Sequence, residues 1–110
     1  MKWALTTAVA LLLVTLMAPA APAAGTKTGR ITGFECGDNC YLTIQPSKGA
    51  PVTALCAAKA CAAWNAATTI PKRLIGKRVR VSIGNGRQYD ASGNDMGPFP
   101  SFETLEFVSR

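Results

Sequence analysis

The clearest pattern in the chain is a strict alternation of apolar and polar residues over residues 40–45 and 78–83. Successive side chains of a β-strand point to opposite faces, so this period of two predicts two strands, each with one buried face. A third strand is expected near the end of the chain, over residues 102–108. Together these segments supply the expected inner lining of the sheet: Leu42, Ile44, Val79, Val81, Ile83, Leu105 and Phe107.

One more strand is predicted over residues 30–34, which are rich in β-branched and aromatic side chains, and a short one over residues 52–56. Residues 24–28 are expected to be a short, mobile polar lead-in. The segment 84–100 contains four Gly and two Pro, and this composition predicts a long loop or a loose hairpin.

Residues 57–68 include seven alanines, which favour a helix. Cys61 and Trp64 lie three residues apart and therefore share one side of that helix. We expect Trp64 to pack the helix against the sheet and Pro71 to prevent its continuation. The predicted order of elements is β-β-β-α-β-β.

Short alternating strands favour closure into a barrel, because closure removes exposed sheet edges. The layout resembles the oligonucleotide/oligosaccharide-binding (OB) fold, as found in small exported bacterial proteins. The resemblance covers residues 29–108 and is one of element order alone, since no family signature motif is matched. It implies a five-stranded barrel with one short helix between strands 3 and 4. An SH3-like barrel is the competing architecture.

The N-terminal segment has the features of an export signal. Lys2 precedes an uncharged, strongly apolar run over residues 3–18, and Ala21 and Ala23 form a small-residue cleavage site. The run is shorter than the ~20 residues that a membrane-spanning helix requires. We therefore predict a signal peptide over residues 1–23, no transmembrane segment in the mature form, and one periplasmic or secreted domain over residues 24–110.

The four cysteines all follow the predicted cleavage site, as expected for two structural disulfides in a small exported domain. The favoured pairs are local, Cys36 with Cys40 and Cys56 with Cys61, although four cysteines allow three connectivities. The second pair requires Cys56 to lie outside the helix. Zinc binding and a redox couple are the alternatives, but the spacings only approach those of zinc ribbons and no C-x-x-C motif is present.

Positive charge is the strongest functional indication. The chain has 12 Lys and Arg against 6 Asp and Glu, and without Lys2 the net charge is about +5. No acidic residue occurs between Asp38 and Asp90. This balance favours an anionic partner such as a glycan, a nucleic acid or an envelope surface, although a solvated strand face would look similar. The candidate anion-binding residues are Arg30, Lys72, Arg73, Lys77, Arg78, Arg80 and Arg87.

Catalysis is hard to assemble from this composition. The chain has no His, the commonest general base, and its six carboxylates form no recognisable set. Residues 90–95 begin like a calcium-binding loop, but Asp95 stands where Gly is needed and Ser101 where Glu is needed. A polar turn explains the same residues. We therefore expect a protein that is not an enzyme and that uses no cofactor or metal.

A second candidate surface lies on the polar side of strands 2 and 3. A small ligand is expected to contact Tyr41, Thr43, Gln45, Lys48 and Thr53. Base-stacking aromatics are few, the candidates being Phe34, Tyr41 and Tyr89. The leading interpretation is an exported, non-catalytic binding module. The alternatives are a secreted inhibitor or effector that presents the disulfide loop 35–41, and a structural or stress-related envelope protein without a small ligand.

Overall fold

The computed structural model describes residues 25–109, so the predicted signal peptide lies outside the described residues. A short 3-10 helix, Lys72–Leu74, precedes the fourth strand. The remaining elements are β1 (Gly25–Cys36), β2 (Cys40–Gln45), β3 (Val52–Cys56), α1 (Cys61–Ala67), β4 (Arg78–Tyr89) and β5 (Asp95–Phe107).

The five strands form a closed barrel in the order β1-β2-β3-β5-β4. All neighbouring strands are antiparallel except β3 and β5, which run parallel and pair at Leu55 with Ser101 and at Cys56 with Phe102. The predicted mainly-β class, the five-stranded barrel and the helix between β3 and β4 are confirmed. The arrangement is compatible with an OB-like architecture.

Strand β1 joins two parts of the barrel. Its first half pairs with β4 and its second half with β2, and Arg30 pairs with both strands. Residues 25–28 lie within β1, so the prediction of a mobile lead-in is wrong for them. Their polar sequence carries no alternation, and their extended conformation depends on pairing with the more regular β4.

The core confirms most of the expected lining. Leu42, Ile44, Val79, Val81 and Ile83 are buried, and Leu105 packs against them partly buried. Phe107 was wrongly assigned to the lining, because it ends β5 at the rim of the barrel and is 48% exposed. Strand β5 has a bulge between Phe102, the partner of Ile83, and Thr104, the partner of Ser82. The bulge turns the Phe102 side chain inward, where it is fully buried.

The helix closes one end of the barrel but is shorter than predicted. Cys56 ends β3, and its disulfide to Cys61 ties the strand to the first residue of α1 with a Cα–Cα distance of 5.6 Å. The other disulfide, Cys36–Cys40, crosses the β1–β2 turn with a Cα–Cα distance of 4.0 Å. Both favoured pairings are therefore confirmed. Trp64 is buried, as expected of a side chain that packs the helix on the barrel.

Phe34 and Phe107 contact Trp64 edge-to-face, with ring centroids 6.4 Å from that of Trp64 in both cases. The three rings form an aromatic cluster where α1 meets the barrel. Phe34 is half-buried in this cluster and also lines the groove that contains Tyr41. A bulge after Ile31 shifts the alternation of β1 and directs Phe34 toward the helix.

The segment 84–100 is not a loop over most of its length. It forms a long hairpin arm in which β4 and β5 remain paired from Gly84 to Tyr89, so the hairpin alternative is confirmed. Gly86 permits the arm to pack on β3, because a Cβ there would lie 2.8 Å from Leu55 Cδ1. Pro98 and Pro100 are accommodated because β5 has only β4 as its neighbour along this stretch.

Candidate functional site

The site is centred on two arginines placed side by side on the outside of the barrel. Arg30 of β1 pairs directly with Arg78 of β4, and Gln45 of β2 pairs with Arg30 on its other side. Like charges directly opposite each other in a sheet are destabilising. Within residues 25–109 neither arginine has a carboxylate partner to offset this repulsion.

The two arginines are held differently. The Arg30 guanidinium donates a hydrogen bond to the carbonyl of Gly76, with an Nη1–O distance of 2.9 Å. The Arg78 side chain is half-buried and makes no side-chain hydrogen bond to any of residues 25–109. A partly desolvated guanidinium without an internal acceptor retains five N–H donors for a ligand.

Arg30 and Arg78 line a groove of about 470 Å³ on the β1–β2 side of the pair. Gly29 forms part of its floor, and the β2–β3 turn forms one wall through Pro46 and Ser47. The other polar lining residues, Thr28 and Gln45, supply neutral donors and acceptors. The groove can therefore offer an anion two cations together with neutral hydrogen-bonding groups.

Arg78 also borders a second groove of about 380 Å³ on its other side. This groove has two further cations, Arg73 and Lys77, and an apolar part formed by Leu74, Phe107 and Val108. We refer to Arg30, Arg73, Lys77 and Arg78 as the basic end of the barrel. Lys72 lies beside it in the 3-10 helix and is exposed, but it lines neither groove.

The remaining two predicted anion-binding residues are in ion pairs. Arg80 contacts Glu106 of the neighbouring strand, with an Nη1–Oε1 distance of 2.7 Å. Arg87 pairs with Asp95 on the hairpin arm. The hydrogen bond to Asp95 raises the pKa of Arg87, and the same bond, with one from the Gly97 N–H, lowers the pKa of Asp95. These two arginines are therefore already paired with carboxylates of the neighbouring strand.

Four of the six carboxylates lie at the tip of the hairpin arm or near the β1–β2 turn, whereas Glu106, the residue before Phe107, is paired with Arg80. Asp90 and Asp95 lie at the tip of the hairpin arm, and Glu35 and Asp38 lie near the β1–β2 turn. The two regions are joined by Asn39, whose side-chain amide bonds both the carbonyl and the N–H of Tyr89. Arg78 and Tyr89 are the first and last residues of β4, so basic and acidic groups occupy opposite ends of the strand.

The candidate calcium loop is organised by its own hydrogen bonds. The Asp90 carboxylate accepts bonds from the backbone N–H groups of Asn94 and Ser92 and from the Asn94 amide. The bonds from Asn94 are the main cause of the lowered pKa of Asp90. Among residues 25–109 no three His, Cys, Asp or Glu side chains are grouped so that they could hold a metal ion.

The predicted ligand face is divided by the structure. Tyr41, Thr43 and Thr53 meet in a groove of about 490 Å³ under the hairpin arm. The two threonine hydroxyls there are 2.7 Å apart. Gln45 instead lines the groove beside Arg30, where its amide donates to the carbonyls of Pro46 and Gly49. Lys48 lies exposed in the β2–β3 turn, outside both grooves.

The hairpin arm contributes side chains to this groove that the sequence pattern did not indicate. Phe99 contacts Tyr41 edge-to-face with a centroid distance of 5.5 Å, and Gln88 accepts a hydrogen bond from the Tyr41 hydroxyl. Tyr89, the third stacking candidate, is 46% exposed at the arm's tip. The turn-like composition of residues 84–100 concealed the pairing that brings these side chains to the sheet.

No helix among the described residues is long and apolar enough to cross a membrane. The two disulfides are consistent with an extracellular or periplasmic protein. Comparisons with protein families, with curated proteins and with solved structures found no match to this chain.

Proposed function

We propose that this protein is an exported, non-catalytic binding module with an OB-like barrel, and that it binds an anionic partner at its basic end. The observation that carries the proposal is the directly opposed pair of arginines, Arg30 and Arg78, without a carboxylate partner in residues 25–109. The partner is a polyanion or an anionic surface of the cell envelope. A signal peptide over residues 1–23 and the two disulfides fit a periplasmic or secreted location.

An anion seated between Arg30 and Arg78 would convert their repulsion into two favourable contacts. A guanidinium presents a planar fork of donors that matches carboxylate, sulfate or phosphate oxygens, and charge-assisted hydrogen bonds are stronger than neutral ones. Thr28, Gln45 and Ser47 line the same groove and can complete the hydrogen bonding. The proposed chemistry is binding alone, because the groove lining holds no nucleophile paired with a base.

The inhibitor alternative depends on the disulfide loop 35–41 as a contact surface. In this loop, Asn39 is hydrogen-bonded to Tyr89 and Tyr41 to Gln88. Two of the loop's polar side chains therefore already bind the hairpin arm, which leaves fewer groups to contact a target. This favours the basic end over the loop as the binding surface.

The proposal predicts that changing both Arg30 and Arg78 to Gln will weaken heparin binding about thirty-fold. Two ion pairs at a partly solvent-exposed surface, at about 1 kcal/mol each, are lost, and 1.4 kcal/mol corresponds to a factor of ten. The variant is expected to fold, because the change also removes a like-charge pair. Affinity is measured by calorimetric titration with a heparin oligosaccharide at low and moderate salt.

The matched control changes Arg80 and Arg87 to Gln. It lowers the net charge by the same amount, but its arginines are already paired with Glu106 and Asp95. Heparin affinity should fall by no more than about threefold in the control, through the loss of general attraction. Equal losses in the two double variants would show that only net charge matters and would refute a site at the basic end.

A further inference from the structure

An exposed aromatic ring stands among the cations of the basic end. Phe107 is 48% exposed, although it is the last residue of β5 and pairs with the fully buried Val79. Its ring contacts Trp64 edge-to-face, so it is held in place from one side. The groove beside it is bordered by Arg73, Lys77 and Arg78.

The apolar groups around Phe107 are aliphatic. Leu74 and Val108 line the same groove, and Val108 is fixed by a hydrogen bond from its N–H to the carbonyl of Arg78. The surface therefore combines an apolar patch with a rim of three cations that have no ion-pair partner among residues 25–109. A rim of positive charge around aromatic and aliphatic side chains matches the boundary between anionic headgroups and acyl chains.

We propose that the basic end docks on an anionic lipid bilayer, with Phe107 entering the headgroup region and the surrounding cations contacting lipid phosphates. The inference deepens the proposed function by naming the anionic partner, and it rests on that function. Arg30 and Arg78 bind phosphates in the groove on one side, and Arg73 and Lys77 bind phosphates around Phe107.

The distribution of charge fixes the orientation of the docked protein. Asp90 and Asp95 lie at the tip of the hairpin arm, and Asn39 joins that tip to the β1–β2 turn with its Glu35 and Asp38. These acidic groups are repelled by an anionic bilayer, whereas the basic end is attracted to it. The barrel therefore stands with its basic end toward the lipid and its hairpin arm away from it.

The patch suits lipid better than nucleic acid. Binding of single strands relies on a succession of aromatic platforms along a basic groove, whereas this surface offers one ring flanked by aliphatic side chains. Of the predicted stacking candidates, Phe34 and Tyr41 line the groove under the arm and Tyr89 lies at its tip. Binding of oligonucleotides without binding of vesicles would therefore contradict lipid docking.

The experiment measures co-sedimentation of the protein with vesicles. The processed protein is recovered from the periplasm of an expression host, and mass spectrometry verifies that the apolar residues 1–23 have been removed, since that segment would bind lipid by itself. Vesicles contain phosphatidylcholine alone or phosphatidylcholine with phosphatidylglycerol. Binding is expected only to the anionic vesicles and should weaken as salt is added.

Phe107→Ser should reduce partitioning onto the anionic vesicles about tenfold, which corresponds to the loss of one apolar side chain from the interface. The matched control is Met96→Ser, which removes a 62% exposed apolar side chain at the tip of the hairpin arm. The control should bind vesicles as the parent protein does. The control should also keep the heparin affinity of the parent protein.

A second variant, Phe107→Trp, tests the proposal even if Phe107→Ser does not fold. Phe107→Trp keeps an aromatic ring against Trp64, and its fluorescence should shift to the blue and be quenched when the anionic vesicles contain brominated acyl chains. The parent protein supplies the baseline, because the indole within residues 25–109 is that of the buried Trp64. No quenching above this baseline would overturn the insertion of Phe107.

The outcomes separate the two proposals. Heparin or oligonucleotide binding without vesicle binding would overturn lipid docking and leave the anion-binding function intact. Vesicle binding that Phe107→Ser does not reduce would overturn the proposed docking surface. Failure to bind heparin, an oligonucleotide and anionic vesicles alike would overturn both proposals.

Discussion

Replacing Gly29 with alanine is expected to destabilise the protein by about 2–3 kcal/mol, the upper range for forcing one extra carbon into a packed site. A Cβ at residue 29 would lie 2.8 Å from the carbonyl oxygen of Gln45 and 3.0 Å from the nitrogen of Pro46. These are backbone atoms, so they cannot rotate away as a side chain could. The strands β1 and β2 would have to separate where β1 changes its pairing from β4 to β2.

Gly33→Ala is the matched control. It lies four residues further along the same strand, and a Cβ there would meet no atom within 4 Å. The control should unfold within about 0.5 kcal/mol of the parent protein, as most surface substitutions do. Denaturant unfolding monitored by circular dichroism supplies both numbers. Equal stability of the two variants would contradict the close crossing of β1 and β2.

The second large effect is expected at the closed end of the barrel. Trp64→Ala should cost about 3–5 kcal/mol, the range for removing a buried aromatic side chain. Trp64 is buried between Phe34 and Phe107, and its loss leaves the ends of β1 and β5 without their contact to α1. Small domains are stable by about 5–15 kcal/mol, so a large part of the native stability is lost.

Trp64→Phe is the companion substitution, because it retains an aromatic ring at residue 64. It is expected to recover more than half of the stability that Trp64→Ala loses, and thermal unfolding of the three proteins measures the difference. A cost below about 1 kcal/mol for Trp64→Ala would be typical of an exposed position. It would show that the helix does not close the barrel through this side chain.

The regular strands could be predicted from the sequence because their own residues alternate. Strand β2 has the predicted bounds, and the inward residues of β4 up to Ile83 are buried as expected. The prediction failed where partners impose the conformation. Residues 25–28 are extended because β4 pairs with them, and the β5 bulge reverses the alternation so that Phe102 enters the core.

Glycine and proline explain why the sequence left a loop and a hairpin as alternatives for residues 84–100. In residues 84–100 their composition is typical of a loop, but Gly86 is small because β3 approaches closely, and Pro98 lies where β5 needs no second partner. Local sequence cannot distinguish these uses from turn formation, since the deciding contacts are made with distant parts of the chain. Phe99 and Gln88 were missed as groove residues for this reason.

The candidate site was only partly visible in the sequence. Clustering of positive residues between Lys72 and Arg87 was evident, and Arg30 was included among the candidates. Which arginines form ion pairs depends on the register of β4 with β5, and that register brings Arg80 to Glu106 and Arg87 to Asp95. The exposure of Phe107 depends on the position of the barrel rim, which a pattern of alternation does not locate.

Binding of anions at the basic end can be mapped by a nuclear magnetic resonance titration of the ¹⁵N-labelled processed protein with a heparin oligosaccharide. We expect the largest amide shifts at Arg30, Gly76, Lys77 and Arg78, and little change in the groove containing Tyr41, Thr43 and Thr53. Shifts centred on that groove or on the tip of the hairpin arm, with the basic end unchanged, would show that anions bind elsewhere.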